Sequence, residues 1–131
     1  DKWVNQGKQH EKYGGDILCK ILDKCRISPS YTIISTSLFH KLGGYNEHLQ
    51  VCEDYELCLR LAAQTEIAYL NKKLIVKRAI DSECWSAHIQ HFESIRLQIL
   101  EGFALSESFK PEYEICVLAE LERKQKIVKV V

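Results

Sequence analysis

The last third of the chain sets the strongest constraint on its fold. Ile89, Phe92, Ile95, Ile99 and Phe103, following Trp85, recur on one helical face, and Pro111 opens a second helical pattern that reaches into the 120s. Two long amphipathic helices need a broad apolar surface to cover. Upstream there are only three short strand signals: "YTIIS" at 31–35, "EIAYL" at 66–70 and "LIVKRAI" at 74–80, the last two joined by the polar turn "NKK". The predicted class is α/β, or α+β within this chain: a few short strands packed by helices, with two helices at the C-terminal end.

Between these signals lie shorter helical patterns. Ile17, Leu18, Ile21, Leu22 and Cys25 recur at helical spacing within a first helix expected over about 11–24. Pro29 excludes a helical conformation at Ser28 and so breaks the pattern. Thr36 or Ser37 can cap a short helix "SLFHKL", which Gly43 would end in the left-handed conformation. Helical periodicity resumes at Glu53 and runs through Leu57, Leu61 and Ala62. The expected division is a first unit over 1–82 and a helical extension over 83–131 packed on it. The chain starts at Asp1 and contains no Met, so either its beginning was processed away or it is a piece of something longer.

Composition narrows the function classes. Hydrophobic residues make up 46% and charged residues 27% of 131 residues, the balance of a globular protein. Lys plus Arg equals Asp plus Glu at 18 each, which gives no support for nucleic acid as a partner. No apolar stretch approaches the roughly 20 residues of a transmembrane helix. Six cysteines in a chain of alternating apolar runs and helical patterns read as reduced thiols acting as small buried hydrophobes. Cys19 and Cys25 repeat the spacing of Cys52 and Cys58, but six residues along a helix turn the side chain by about 240°, which is poor geometry for a shared zinc ion. His88 and His91 read as surface residues, and Tyr31 and Tyr69 as core or cleft wall.

The segment "LQVCEDYELCLRLAA" (49–63) places Glu53 and Asp54 side by side at a helix start. Neighbouring helical residues point about 100° apart, so one acid can face a cleft while the other serves the helix N-terminus. A carboxylate beside a substrate hydroxyl can take its proton during nucleophilic attack. On the pair alone, a charged first turn outweighs catalysis, because acids are common there.

The surrounding sequence shifts that balance. The turn Gly43-Gly44-Tyr45-Asn46-Glu47, then Glu53-Asp54-Tyr55-Glu56-Leu57 with Leu59-Arg60, then "EIAYLNKKLIVKR", resembles in order and spacing the C-terminal half of a family 2 glycosyltransferase. Trp3, Gly14, Gly15, Asp16 and "ISPS" at 27–30 resemble a subgroup of the same family, so the likeness covers roughly residues 3–100. The resemblance implies a GT-A fold, with the nucleotide-sugar donor bound by an N-terminal half and a glycan or lipid acceptor by this one. It implies Asp54 as the general base of an inverting displacement and Glu53 as its supporting neighbour. Gly43 and Gly44 would shape the acceptor loop. Lys77 and Arg78 would either face the leaving diphosphate or be solvated at a strand end, and Trp85, beside Asp81, is a core or cleft-wall residue or a substrate contact. A divalent metal, Mg²⁺ or Mn²⁺, would be held mostly by an Asp-x-Asp motif upstream of Asp1. Asp81 stands where related enzymes carry a His and would either add a metal ligand or cap the following helix. The chain alone, lacking the donor half, would not catalyse. The expected location is cytoplasmic, with membrane association left open.

Two readings from other classes stand beside this one. The amphipathic "IQHFESIRLQILEGF" and the basic tail "RKQKIVKVV" fit a non-catalytic domain that self-associates through its C-terminal helices. A zinc-binding module is the third.

Overall fold

The computed structural model describes residues 14–27, 29–72, 74, 75 and 89–129. Five α-helices order these residues: α1 (Leu18–Ile21), α2 (Thr36–Lys41), α3 (Glu53–Gln64), α4 (Ile89–Ala104) and α5 (Glu114–Lys129). Single 3-10 turns at Pro29–Tyr31 and Pro111–Tyr113 complete the regular structure.

The α/β expectation, and with it a GT-A architecture of strands packed by helices, is corrected by this arrangement. Among the described residues there is no sheet, and the β pairing seen is one isolated antiparallel bridge between Gly15 and Ile67. "YTIIS" is a 3-10 turn at Tyr31 and then irregular chain with no β bridge among the described residues, with Ile33 fully exposed. In "EIAYL" only Ile67 is bridged, and Tyr69 and Leu70 lie open, as do Leu74 and Ile75 beyond it. β-branched residues favour a pleated surface only when a neighbouring strand supplies the ladder. Residues 76–80 of the third expected strand lie outside the described residues.

The apolar surface that α4 and α5 cover is helical. Tyr55, Cys58, Leu59, Ala62 and Ala63 of α3 join Ile17, Leu18, Ile21 and Leu22 around α1 in one core. Ile99, Leu100 and Phe103 of α4, then Tyr113 and Val117, close it from the other side. The core therefore draws on residues from both sides of position 82. Each Leu, Ile or Phe removed from water here contributes about 1.5–3 kcal/mol. Phe109 folds the α4–α5 connection back, its ring edge-on to Phe103 at 6.2 Å.

The first helix is shorter than its periodicity suggests, and its carbonyls explain why. The Lys20 carbonyl accepts from Arg26, the Leu22 carbonyl from the Tyr55 hydroxyl at 2.5 Å, and the Asp23 carbonyl from Lys124 at 2.9 Å. Acceptors that would continue the helix are taken by side chains instead. Residues 11–13 of that expected helix lie outside the described residues.

Lys124 is fully buried and completes the join between the last two helices. Its ammonium bonds the Glu93 carboxylate at 2.9 Å, lies 3.5 Å from Glu120 and stands 6.0 Å from the centre of the Tyr55 ring. Glu93 also binds Arg96 at 2.7 Å. A buried ammonium is tolerable only with such partners.

The reduced-thiol expectation is also corrected. Cys19 of α1 and Cys116 of α5 form a disulfide across 97 positions of sequence. Cys25, Cys52 and Cys58 remain thiols. No described helix is long and apolar enough to cross a membrane.

Candidate functional site

The double-glycine turn is built by the end of α2. The Gly43 amide donates to the His40 carbonyl at 2.9 Å and the Gly44 amide to Phe39 at 3.0 Å, the two bonds of a Schellman cap. That cap needs a left-handed residue, and Gly43 supplies it at φ +82°. Gly44 follows at φ +71°, and a Cβ there would press the Phe39 ring at 3.3 Å. Both glycines are left-handed, which L side chains rarely adopt, and at Gly44 the Phe39 ring adds crowding, so glycine fits both positions.

The next left-handed residue is Cys52, at φ 61°, which serves as the N-cap of α3 without a side-chain cap bond. The free amides of the first turn are left to the acids that follow. Asp54 turns its Oδ1 back onto the Tyr55 amide at 2.7 Å, leaving Oδ2 without a bond in that interaction. Glu53 and Asp54 are both half-buried. The Cys52 thiol is pushed up by burial, an effect the adjacent Arg96 guanidinium opposes.

Arg60 locks the two pieces together. Its guanidinium donates to the Leu42 carbonyl, to the Gly44 carbonyl at 2.7 Å, and bidentately to Glu56 at 2.7 and 2.6 Å. One planar fork thus holds the carbonyls of the glycine turn against the helix that starts with the acid pair. Tyr45, just after the glycines, is held in the same field. Its phenol is pushed up first by desolvation and then by the negative side of Cys58, Asp54 and Glu53.

Of the residues named from sequence, Gly43 and Gly44 are tied to α3 through Arg60, and Glu53 and Asp54 act on Tyr45; the roles of Arg60 and Tyr45 were not revealed by the sequence. The signal for Arg60 was the Glu56–Arg60 spacing of four; its reach to the turn had none. Lys77, Arg78, Asp81 and Trp85 lie outside the described residues, as do Trp3 and His88. Tyr31 and Tyr69 are exposed, not core.

An open cleft of about 350 Å³ lies beside this unit, between α3 and α4. Asn46, Glu56, Arg60, Ile95, Gln98 and Phe103 are among its walls, so it opens on the Arg60 side of α3. Glu53, seven positions before Arg60, lies near the same side of α3, and Asp54 is turned about 120° from Arg60 around the helix. Among the described residues no three His, Cys, Asp or Glu side chains gather as a metal ion requires.

The chain matches no protein-family model, no curated protein and no solved structure.

Proposed function

We propose that this chain supplies the acceptor side of a glycosyltransferase resembling family 2, with Asp54 as the general base. Asp54 takes the proton of an acceptor hydroxyl as that oxygen attacks the anomeric carbon of a nucleotide sugar. The bond from that carbon to the diphosphate breaks, and the configuration inverts. Glu53 supports the base, and the Gly43–Gly44 backbone shapes the acceptor loop. The reading concerns residues 43–60 and their chemistry, not a sheet-based architecture.

The observation that carries it is the Arg60 fork. An ordinary charged first turn has no need of a guanidinium reaching back 16 and 18 residues to the carbonyls of a glycine turn. A site that must hold a base at a fixed distance from an acceptor loop does. Tyr45 supports the same reading, since it brings a phenol into the field of Asp54 and Glu53. The divalent metal of the reading, with Asp81 as a ligand, and the diphosphate contacts of Lys77 and Arg78 belong to it as further proposals. So does a cytoplasmic location, with the Cys19–Cys116 bond as the feature that weighs against it.

Sugar transfer from a panel of nucleotide sugars to glycan and lipid acceptors, in the longest natural form of the protein, tests the reading. Asp54→Asn should lower turnover by about 10²–10⁴-fold while acceptor binding holds. A folded Asp54→Asn protein at full rate overturns the base assignment, and absence of turnover with every donor overturns the activity.

A second reading, self-association through the C-terminal helices, is favoured by one observation. Ile115 and Leu118, one turn apart on α5, are 87% and 51% exposed. Such residues at helical spacing suit a helix of a second copy.

A further inference from the structure

Two of the thiols left free by the Cys19–Cys116 bond sit together. The Cys25 and Cys58 sulfurs are 3.7 Å apart, though 33 residues separate them in sequence. Both address one acceptor, the Ile27 carbonyl, at 2.8 Å from Cys25 and 3.6 Å from Cys58. The shared carbonyl pins both sulfurs at one point where the 22–27 segment crosses α3. A disulfide needs about 2.05 Å between sulfurs, so bond formation requires the pair to approach by about 1.6 Å.

We propose that Cys25 and Cys58 form a redox-active dithiol that closes to a second disulfide by exchange with a small-molecule disulfide such as oxidised glutathione. Cys25 is half-buried and open to an incoming disulfide, whereas Cys58 is 6% exposed. The hydrogen bond with Cys25 and burial both hold the Cys58 thiol up, which makes it the slower attacker. The Cys25 thiolate attacks one sulfur of glutathione disulfide, releasing one glutathione thiolate and leaving a mixed disulfide on Cys25. Cys58, losing its proton to solvent, then attacks the Cys25 sulfur and expels the second glutathione. One disulfide is reduced to two thiols while the two protein thiols are oxidised to one disulfide.

The closed form fastens α3 to the segment after α1. Cys58 lies one helical turn beyond Asp54, and its sulfur belongs to the field around Tyr45. The redox state of the pair therefore acts on the helix that carries the acid pair, and the proposal holds whatever that pair does.

The test incubates the full chain, Cys19–Cys116 intact, in graded mixtures of reduced and oxidised glutathione, followed by intact mass and peptide mapping. Oxidising mixtures should remove two hydrogens and join the Cys25–Arg26 peptide to the 42–60 peptide, with fragmentation placing the link on Cys58 rather than Cys52, reversibly on return to reduced glutathione. Cys58→Ala should trap glutathione on Cys25, and Cys25→Ala should leave Cys58 unmodified. Should either variant fail to fold, phenylarsine oxide on the unaltered protein gives the same reading, since one arsenic must bridge Cys25 and Cys58. A Cys25 that stays glutathionylated in the unaltered protein, links to Cys52 or Cys84 instead, or remains reduced throughout overturns the proposal.

Discussion

Reducing the Cys19–Cys116 bond should destabilise the fold by an amount its position sets. The bond closes a loop of 97 residues between α1 and α5. Chain-entropy loss on cross-linking grows as the logarithm of loop length and reaches about 4.7 kcal/mol at this length, with losses of about 2–5 kcal/mol usual when native bonds are removed. Unfolding entropy runs at about 2.1 cal/mol/K per residue, so over 131 residues this range corresponds to a fall in Tm of about 7–18 °C. Differential scanning calorimetry with and without dithiothreitol measures it. Cys25, Cys52 and Cys58 are thiols already, so the reductant leaves them unchanged. The Cys19→Ala, Cys116→Ala double variant should melt where the reduced protein does and show no further response to dithiothreitol. Oxidised and reduced forms melting within about 2 °C of each other would refute the reasoning, because an entropic tether of this span has to register.

Three further outcomes follow from the packing. Arg60→Ala should lower stability by roughly 2–3 kcal/mol in urea unfolding at unchanged m, and Arg60→Lys should recover only part of it, because an ammonium cannot fork between two carbonyls and Glu56. Burial by itself raises the Glu93 carboxyl, but bonds and charge from Lys124 and then Arg96 more than offset this and hold it below the usual range. Its folded pKa is therefore depressed, so its contribution is present above the unfolded value near 4.3 and is lost as pH falls through the folded value; urea midpoints measured against pH should show that loss, and Glu93→Gln should remove it. If the C-terminal helices self-associate, sedimentation velocity should show a concentration-dependent dimer that Ile115→Glu with Leu118→Glu abolishes, while a monomer at high concentration rules the association out.

Helices were the legible part of this sequence. The spacing that starts at Glu53 and the face running from Phe92 through Phe103 and on past Pro111 gave α3, α4 and α5, because an apolar stripe at helical period survives whatever it packs against. The strand signals misled for the opposite reason. Ile33 and Ile34 are good strand residues, but a strand exists only through a partner, and a single sequence does not state whether one is near. Long-range pairings were equally hidden: the equal Cys19–Cys25 and Cys52–Cys58 spacings invited local grouping, yet Cys19 bonds Cys116 and Cys25 meets Cys58. Lys124 lies within the basic tail "RKQKIVKVV", where nothing local signals burial, and its buried ammonium is held by Glu93, 31 residues away. For the site, glycine pairs and acid pairs carry their own local signals, so Gly43, Gly44, Glu53 and Asp54 could be named. The contribution of Arg60 lies in backbone carbonyls, which have no sequence identity to read.

The segment around α1 also fixes an order of events during synthesis. Asp16 bonds Tyr113, Cys19 bonds Cys116 and the Asp23 carbonyl takes Lys124, partners 97, 97 and 101 residues downstream. A ribosome adding about 5–20 residues per second leaves that segment waiting about 5–20 s for them. Through that interval Ile17, Leu18, Ile21 and Leu22 lack their cover from the last helix, and Cys19 has Cys25, Cys52 and Cys58 as nearer sulfurs. The nascent chain thus meets its wrong cysteine partners before its right one, and correct pairing has to be won after the last helix has emerged.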